Sequence, residues 1–315
     1  MTGRSAVGPP RRRLISTAEG SRAQAFGPVE WGLFAFCGLV WGGSFYLIAE
    51  AVDHFEPGVV AFLRLALGAL VVAAAPAARA RVERGDWPRV VFVAIVWMAV
   101  PFVLFPIAER SVASSVAGMI NAGLPVFAAV IAAVLLRRLP GRAQAAGLAV
   151  GLAGVALIAV PSIDDGRSSA IGVAELVIAV ALYGLALNVV VPLQQRYGTL
   201  PILLRTELVA ALVLVPYAAL GVEHSSFAWS SLGAVAALGV AGTGLAFLAM
   251  FTLVGRAGAT RASAVTYLFP AVAIALGVPL RNEPLEVAAI AGTALVLAGA
   301  WLVSRRERAE VPPGA

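Results

Sequence analysis

Apolar residues run in long blocks along this chain, each ended by charge, proline or glycine. Ten blocks can be delimited: Trp31–Glu50, Pro57–Pro76, Pro88–Ala108, Ser111–Leu136, Arg142–Val160, Ile171–Pro192, Leu203–Gly221, Ser230–Val254, Ala259–Leu280 and Pro284–Ser304. At about 1.5 Å of rise per residue, most are long enough as helices to cross a hydrocarbon layer roughly 30 Å thick. The pattern predicts an all-α polytopic membrane protein with ten transmembrane helices.

The polar breaks between blocks carry a second pattern. Taken alternately, one set of loops and ends holds nineteen arginines, from Arg4, Arg11, Arg12, Arg13 and Arg22 through Arg79, Arg137, Arg138, Arg196, Arg256 and Arg261 to Arg308. The other set holds only Arg110, Arg167 and Arg281, and collects Asp53, Glu56, Glu109, Asp164, Asp165, Glu223, Glu283 and Glu286. Arginine marks the cytoplasmic face of membrane proteins. The alternation therefore predicts a multi-pass protein of the cell membrane, plasma or inner, with both termini cytoplasmic and the lipid bilayer as its first partner. Residues 1–30 and 305–315 read as disordered cytoplasmic tails; Arg11-Arg12-Arg13-Leu14 resembles a twin-arginine signal superficially, but no apolar stretch follows it.

Composition agrees. Of 315 residues, 60% are hydrophobic and 13% charged, against roughly 45–50% and about 25% in soluble domains, which excludes a water-soluble enzyme. The net charge of +6 is a topology signal, so nucleic acid is not an expected partner. The single cysteine, Cys37, lies in an apolar block and the two histidines, His54 and His224, in loops; neither a disulfide nor a metal site is expected. Lysine is absent, so there is no P-loop and no nucleotide or other cofactor is expected.

An internal repeat organises the ten blocks. At an offset of 145, Pro125 matches Pro270, Gly147 matches Gly292 and Gly154 matches Gly299, aligning the fourth and fifth spans with the ninth and tenth. A weaker echo pairs Trp41-Gly42 with Tyr183-Gly184. The halves are then residues 31–160 and 161–304. Five spans is an odd number, so the second half enters the membrane from the opposite side. Two inverted five-helix repeats are typical of secondary transporters that hold substrate near the midplane between the halves.

Particular residues carry a resemblance. Trp41-Gly42-Gly43-Ser44-Phe45, then Pro57 and Arg64, followed in the second half by Gly242-Thr243-Gly244-Leu245-Ala246-Phe247, Ala262-Ser263, Pro270 and Asn282-Glu283-Pro284-Leu285, resemble the signatures of the EamA-type family in the drug/metabolite transporter superfamily. The resemblance spans Trp31 to Ser304. It departs at Arg138, where the family carries an acidic residue after the fourth span. What it implies is export or exchange of small metabolites, such as amino acids or their derivatives, and sometimes drugs, without ATP.

Polar groups at mid-membrane depth are the first candidates for contacting a small-molecule substrate, because they are costly there without partners. Asn121 and its repeat mate Thr266 each precede a matched proline, Pro125 and Pro270, by four residues; the prolines free a carbonyl one turn back and are candidate gating positions. The aromatic residues Trp41, Trp97, Tyr183, Phe247 and Tyr267, with Ser44 and Thr243, complete the candidate substrate site, a cavity formed by the first, third, fourth, sixth, eighth and ninth spans. Arg64 reads chiefly as structural, snorkelling toward Glu50, Asp53 or Glu56, with a substrate carboxylate as the alternative. Glu175 and Glu207 read as solvated flanks, leaving no carboxylate buried in mid-membrane. Gly147, Gly151 and Gly154 form a small-residue face suited to close helix packing, within the chain or across a homodimer. Two rival readings are a broad-specificity drug efflux carrier, which an acidic cavity group would favour, and a membrane-embedded enzyme or scaffold, for which no paired carboxylates or His/Cys ligands are present.

Overall fold

Glycine and proline set where the helices begin and how closely they approach. The computed structural model describes residues 27–136, 141–164, 168–257, 262 and 264–304. Most of both tails, together with Arg137, Arg138, Asp165, Arg167, Arg261 and Ser263, lie outside the described residues. The helical stretches are α1 (Pro28–Val52), α2 (Pro57–Ala73), α3 (Arg84–Ala108), α4 (Ser114–Leu135), α5 (Arg142–Asp164), α6 (Ala170–Tyr197), α7 (Thr199–Val222), α8 (Trp229–Val254), α9 (Ala264–Arg281) and α10 (Val287–Ser304). No strand occurs among the described residues. Eight of these stretches are long and apolar enough to cross a membrane; α2, at 17 residues, and the apolar part of α10, Val287–Leu302, are shorter. The protein is a multi-pass membrane protein.

Some boundaries differ from those expected. Pro28 sits in the first turn of α1, where its missing N–H is no loss, so the helix begins three residues inside the stretch expected to be a tail. The Gly27 amide donates to the Glu30 carboxylate at 3.0 Å. Between α6 and α7 the chain turns on Gly198 alone, at φ +80°, a conformation that glycine adopts at little cost. Consequently α7 starts at Thr199 rather than Leu203, with Pro201 accommodated in its first turn.

Packing follows the repeat. A Cβ placed on Gly154 would lie 2.6 Å from the Gly292 carbonyl oxygen, and one on Gly299 would lie 2.6 Å from the Gly147 carbonyl oxygen. Gly147 and Gly154 are the repeat mates of Gly292 and Gly299, so these two approaches are exchanged copies of one another. The small-residue face of α5 is thus closed against α10 within the chain. The same exchange relates other neighbours: α1 against α9 is answered by α6 against α4, α2 against α8 by α7 against α3, and α3 against α6 by α8 against α1, while α2 also packs on α7. The outer surface is apolar, with Leu212, Leu220, Ile171 and Val287 exposed, and Trp31, Trp87, Trp229 and Trp301 lie exposed near helix ends, as interfacial tryptophans do.

Four of the stretches are not continuous α-helix. α3 contains a π-helical segment at Ala94–Ala99, and α8 one at Leu238–Leu245. The starts of these segments are 144 residues apart, within one residue of the repeat offset. α4 is interrupted at Ala122–Gly123, and α9 opens as a 3-10 helix, Ala264–Leu268. Pro125 and Pro270 each fall in the first turn of the α-helix that follows, so both prolines start a new helix rather than kinking an old one.

Candidate functional site

The interruptions of α4 and α9 meet. The Thr266 hydroxyl donates to the Ala122 carbonyl at 3.5 Å, across the two halves. Beside this junction lies a partly open cavity, lined by residues from both halves. Trp41, Ser44, Trp97, Asn121, Tyr183, Phe247 and Thr266 all line it, as does Arg64.

Its wall is a connected set of rings. Phe247 of α8 is central: its ring centroid lies 5.0 Å from that of Trp41, 5.6 Å from Trp97 and 5.8 Å from Phe102. Trp41 is fixed further by its indole N–H, which donates to the Gly242 carbonyl in the π segment of α8 at 2.7 Å. Tyr183 stacks on Phe105, with centroids 5.8 Å apart and planes 18° from parallel. The Ser44 hydroxyl donates to the Val40 carbonyl one turn back, at 2.9 Å. Asn121, 6% exposed, has no hydrogen-bond donor to its side-chain oxygen.

Two expected site residues lie elsewhere. Thr243 is fully buried, its hydroxyl donating to Leu238 O at 2.9 Å and its methyl pressed against Gly68 of α2; the π turn directs it into the α2–α8 contact rather than the cavity. Tyr267 also falls outside the cavity lining. Conversely, the wall includes Phe45, Phe102, Phe105, Met250 and Phe269, which were not expected. Trp41, Phe45 and Ile48 share one face of α1 at i, i+4 and i+7, the spacing that could have revealed them.

The charged residues correct two further expectations. Arg64 does not pair with Glu50, Asp53 or Glu56. Arg281 takes Asp53 at 3.0 Å and Glu50 at 3.3 Å, and Arg110 takes Glu56 at 2.7 Å. Arg64 instead lies 4% exposed, its guanidinium 4.3 Å from the centroid of the Phe102 ring and its Nε without an acceptor. Glu207 is not a solvated flank. It is the ninth residue of α7, fully buried against Gly68 with neither oxygen accepting a hydrogen bond, so α7 does carry a carboxylate within its span. At the end opposite the chain's arginine-rich loops, Glu283 accepts from Ser114 N at 2.8 Å, Ser114 Oγ at 2.7 Å and Ser115 N at 2.9 Å, fastening the α9–α10 connection to the start of α4. Nearby Glu109, just past α3, is held well above the usual carboxylate range by burial and by the Glu283 carboxylate; Arg64 and Arg281 oppose this.

An aromatic cavity with a few inward polar groups thus lies among apolar helices that exchange neighbours across a repeat, the architecture of a multi-pass membrane protein with two structurally related halves. The sequence profile of the EamA-like transporter family matches residues 30–160 and again residues 170–305, and the chain belongs to that family. A transporter of Archaeoglobus fulgidus, otherwise uncharacterised, is 24% identical over 88% of this chain and 99% of its own length. A probable terminal-alkyne amino-acid exporter of Streptantibioticus cattleyicolor is 28% identical over 85% of this chain and 91% of its own. A crystal structure with 18% sequence identity superposes with a TM-score of 0.61, covering 87% of this chain and 95% of its own, which shows a shared fold. The protein is a transporter of the drug/metabolite type and not an enzyme.

Proposed function

We propose that this protein exports or exchanges small metabolites, amino acids or related compounds, by alternating access around the central cavity. In this reading the chain crosses the cell membrane ten times with both termini in the cytoplasm, α2 and α10 crossing despite their shorter apolar lengths. The halves run in opposite directions and rock against each other about the α4–α9 junction. The exchanged contacts between α5 and α10 support opposed halves, and the one-sided distribution of arginine supports the orientation. The observation that carries the function is the cavity, which places Trp41, Asn121, Tyr183 and Phe247 from four helices around one space. The amino-acid exporter among the relatives supports the substrate class.

A broad carrier of cationic drugs fits less well, because no acidic side chain lines the cavity among the described residues and Arg64 does. The test is counterflow of labelled amino acids in proteoliposomes. Asn121→Ala and Tyr183→Ala are each expected to reduce the rate at least ten-fold while eluting as folded protein. Wild-type rates in both variants would remove the cavity from the transport path.

A further inference from the structure

We propose that the cavity selects substrates carrying a carboxylate, and that Arg64 is the group that receives it. This rests on the cavity being the substrate site and adds what the substrate must present to it.

Arg64 is a charged side chain inside a membrane helix, 4% exposed, in the wall of an otherwise aromatic cavity. Such a charge is costly without a partner, and nearby acids are committed elsewhere: Glu50 and Asp53 to Arg281, Glu56 to Arg110. Glu109 is close enough to interact electrostatically but makes no ion pair with Arg64. What Arg64 does have is the face of Phe102, 4.3 Å beneath it. A guanidinium over a ring face is partly stabilised by the ring, which offers its N–H donors no full acceptor. Nε has no acceptor. A planar donor fork with no carboxylate paired to it is the complement of a carboxylate, which accepts two parallel hydrogen bonds from it.

The same wall offers a second unfilled position of opposite sense, the Asn121 side-chain oxygen, which lacks a donor. A ligand with a carboxylate and an N–H group meets both needs, while Trp41, Phe247 and Tyr183 surround its apolar body. An amine without a carboxylate leaves Arg64 unpaired and brings a like charge to it. Carboxylate recognition therefore separates amino-acid-like zwitterions from the organic cations that an aromatic cavity would otherwise attract.

The test uses purified full-length protein in detergent. Ligand binding is read by thermal stabilisation and by quenching of tryptophan fluorescence, since Trp41 and Trp97 line the cavity. The probes are L-phenylalanine, L-leucine and 3-phenylpropionate, set against L-phenylalaninamide, L-leucinamide and phenethylamine. At least one acid should bind, and each acid that binds should do so at least ten-fold more tightly than its amide or amine counterpart. Arg64→Lys should keep this preference while weakening the acid, and Arg64→Gln should bind acid and amide within two-fold of one another. If Arg64→Gln fails to fold, the wild-type comparison and Arg64→Lys decide. Equal binding of acids and amides by the wild type, or no binding of any acid, overturns the inference. Counterflow of the amides at the rate of the acids would overturn it while leaving the transport function standing; acids that bind tightly but are not carried would do the reverse.

Discussion

Replacing Gly299 by alanine tests the α5–α10 seam on which the arrangement of the two halves depends. The added Cβ would fall 2.4 Å from Gly151 N and 2.6 Å from the Gly147 carbonyl oxygen. Ordinary contact begins near 3.4 Å, so the helices must part by 3.4 − 2.4, or 1.0 Å, at the point of closest approach. The obstructing atoms are backbone and cannot rotate aside, which places the cost at the upper end of the ~1–3 kcal/mol typical of overpacking. A gap of this size also forfeits a substantial part of the dispersion energy of the neighbouring contacts. Alanine returns up to about 1 kcal/mol through helix propensity, leaving a net loss of about 2 kcal/mol. Gly233→Ala in α8 is the control, because its Cβ meets nothing within 4 Å and only the propensity gain remains. The assay is the temperature at which the folded peak disappears from size-exclusion chromatography in a mild detergent. Gly299→Ala should melt below wild type and Gly233→Ala at or slightly above it. Equal melting of Gly299→Ala and wild type would show that α5 and α10 are not in close contact within one chain.

Two more perturbations address the loop end that carries Glu109 and Glu283. Glu283→Gln keeps one acceptor oxygen for three donors at the start of α4 and loses the favourable charge there, so it should destabilise the protein by about 1.5–3 kcal/mol in the same melting assay; unchanged melting would mean that the contact contributes nothing to stability. Glu109 titrates well above its ordinary 4.5 in the folded protein, so the stability it contributes is complete below about pH 4.5 and is lost as pH rises through the folded-state value. Glu109→Gln should therefore flatten the decline of melting temperature with rising pH, and a profile parallel to wild type would refute the assignment.

What the residue pattern revealed and what it hid have different physical origins. The close-packing face of α5 was legible because small residues at that spacing have few uses other than close approach, but its partner α10 was not, since a small-residue face fits another span or a second chain equally well. Asn121 and Thr266 were legible through their prolines. Thr243 was misplaced because a mid-span position does not disclose a π turn, which rotates the following residues relative to a regular helix. Glu207 was hidden by Pro201: a proline near a charged residue suggests a loop, but Gly198 turns so tightly that the proline falls within the first turn of α7. Arg64 was assigned its neighbours along the chain, whereas Glu50, Asp53 and Glu56 find cations contributed by other helices. Phe102 and Phe269 were overlooked for the same reason, since they reach the cavity only once the two halves interlock.

The π segments of α3 and α8 bear on how the wall of the cavity can deform. A π turn contains a residue more than the path of the helix requires, so each of these helices stores slack beside the cavity, at matching levels in the two halves. The slack is unequal in stiffness. In α3 the segment is Ala-Ile-Val-Trp-Met-Ala, and its Trp97 is wedged against Phe251 with centroids 4.5 Å apart. In α8 it contains Gly239, Gly242 and Gly244, residues whose backbones are least restrained. The α8 segment thus has the greater intrinsic backbone freedom of the two, and because the Trp41 indole is tied to Gly242, any shift of that glycine is carried directly to an aromatic ring that faces the cavity.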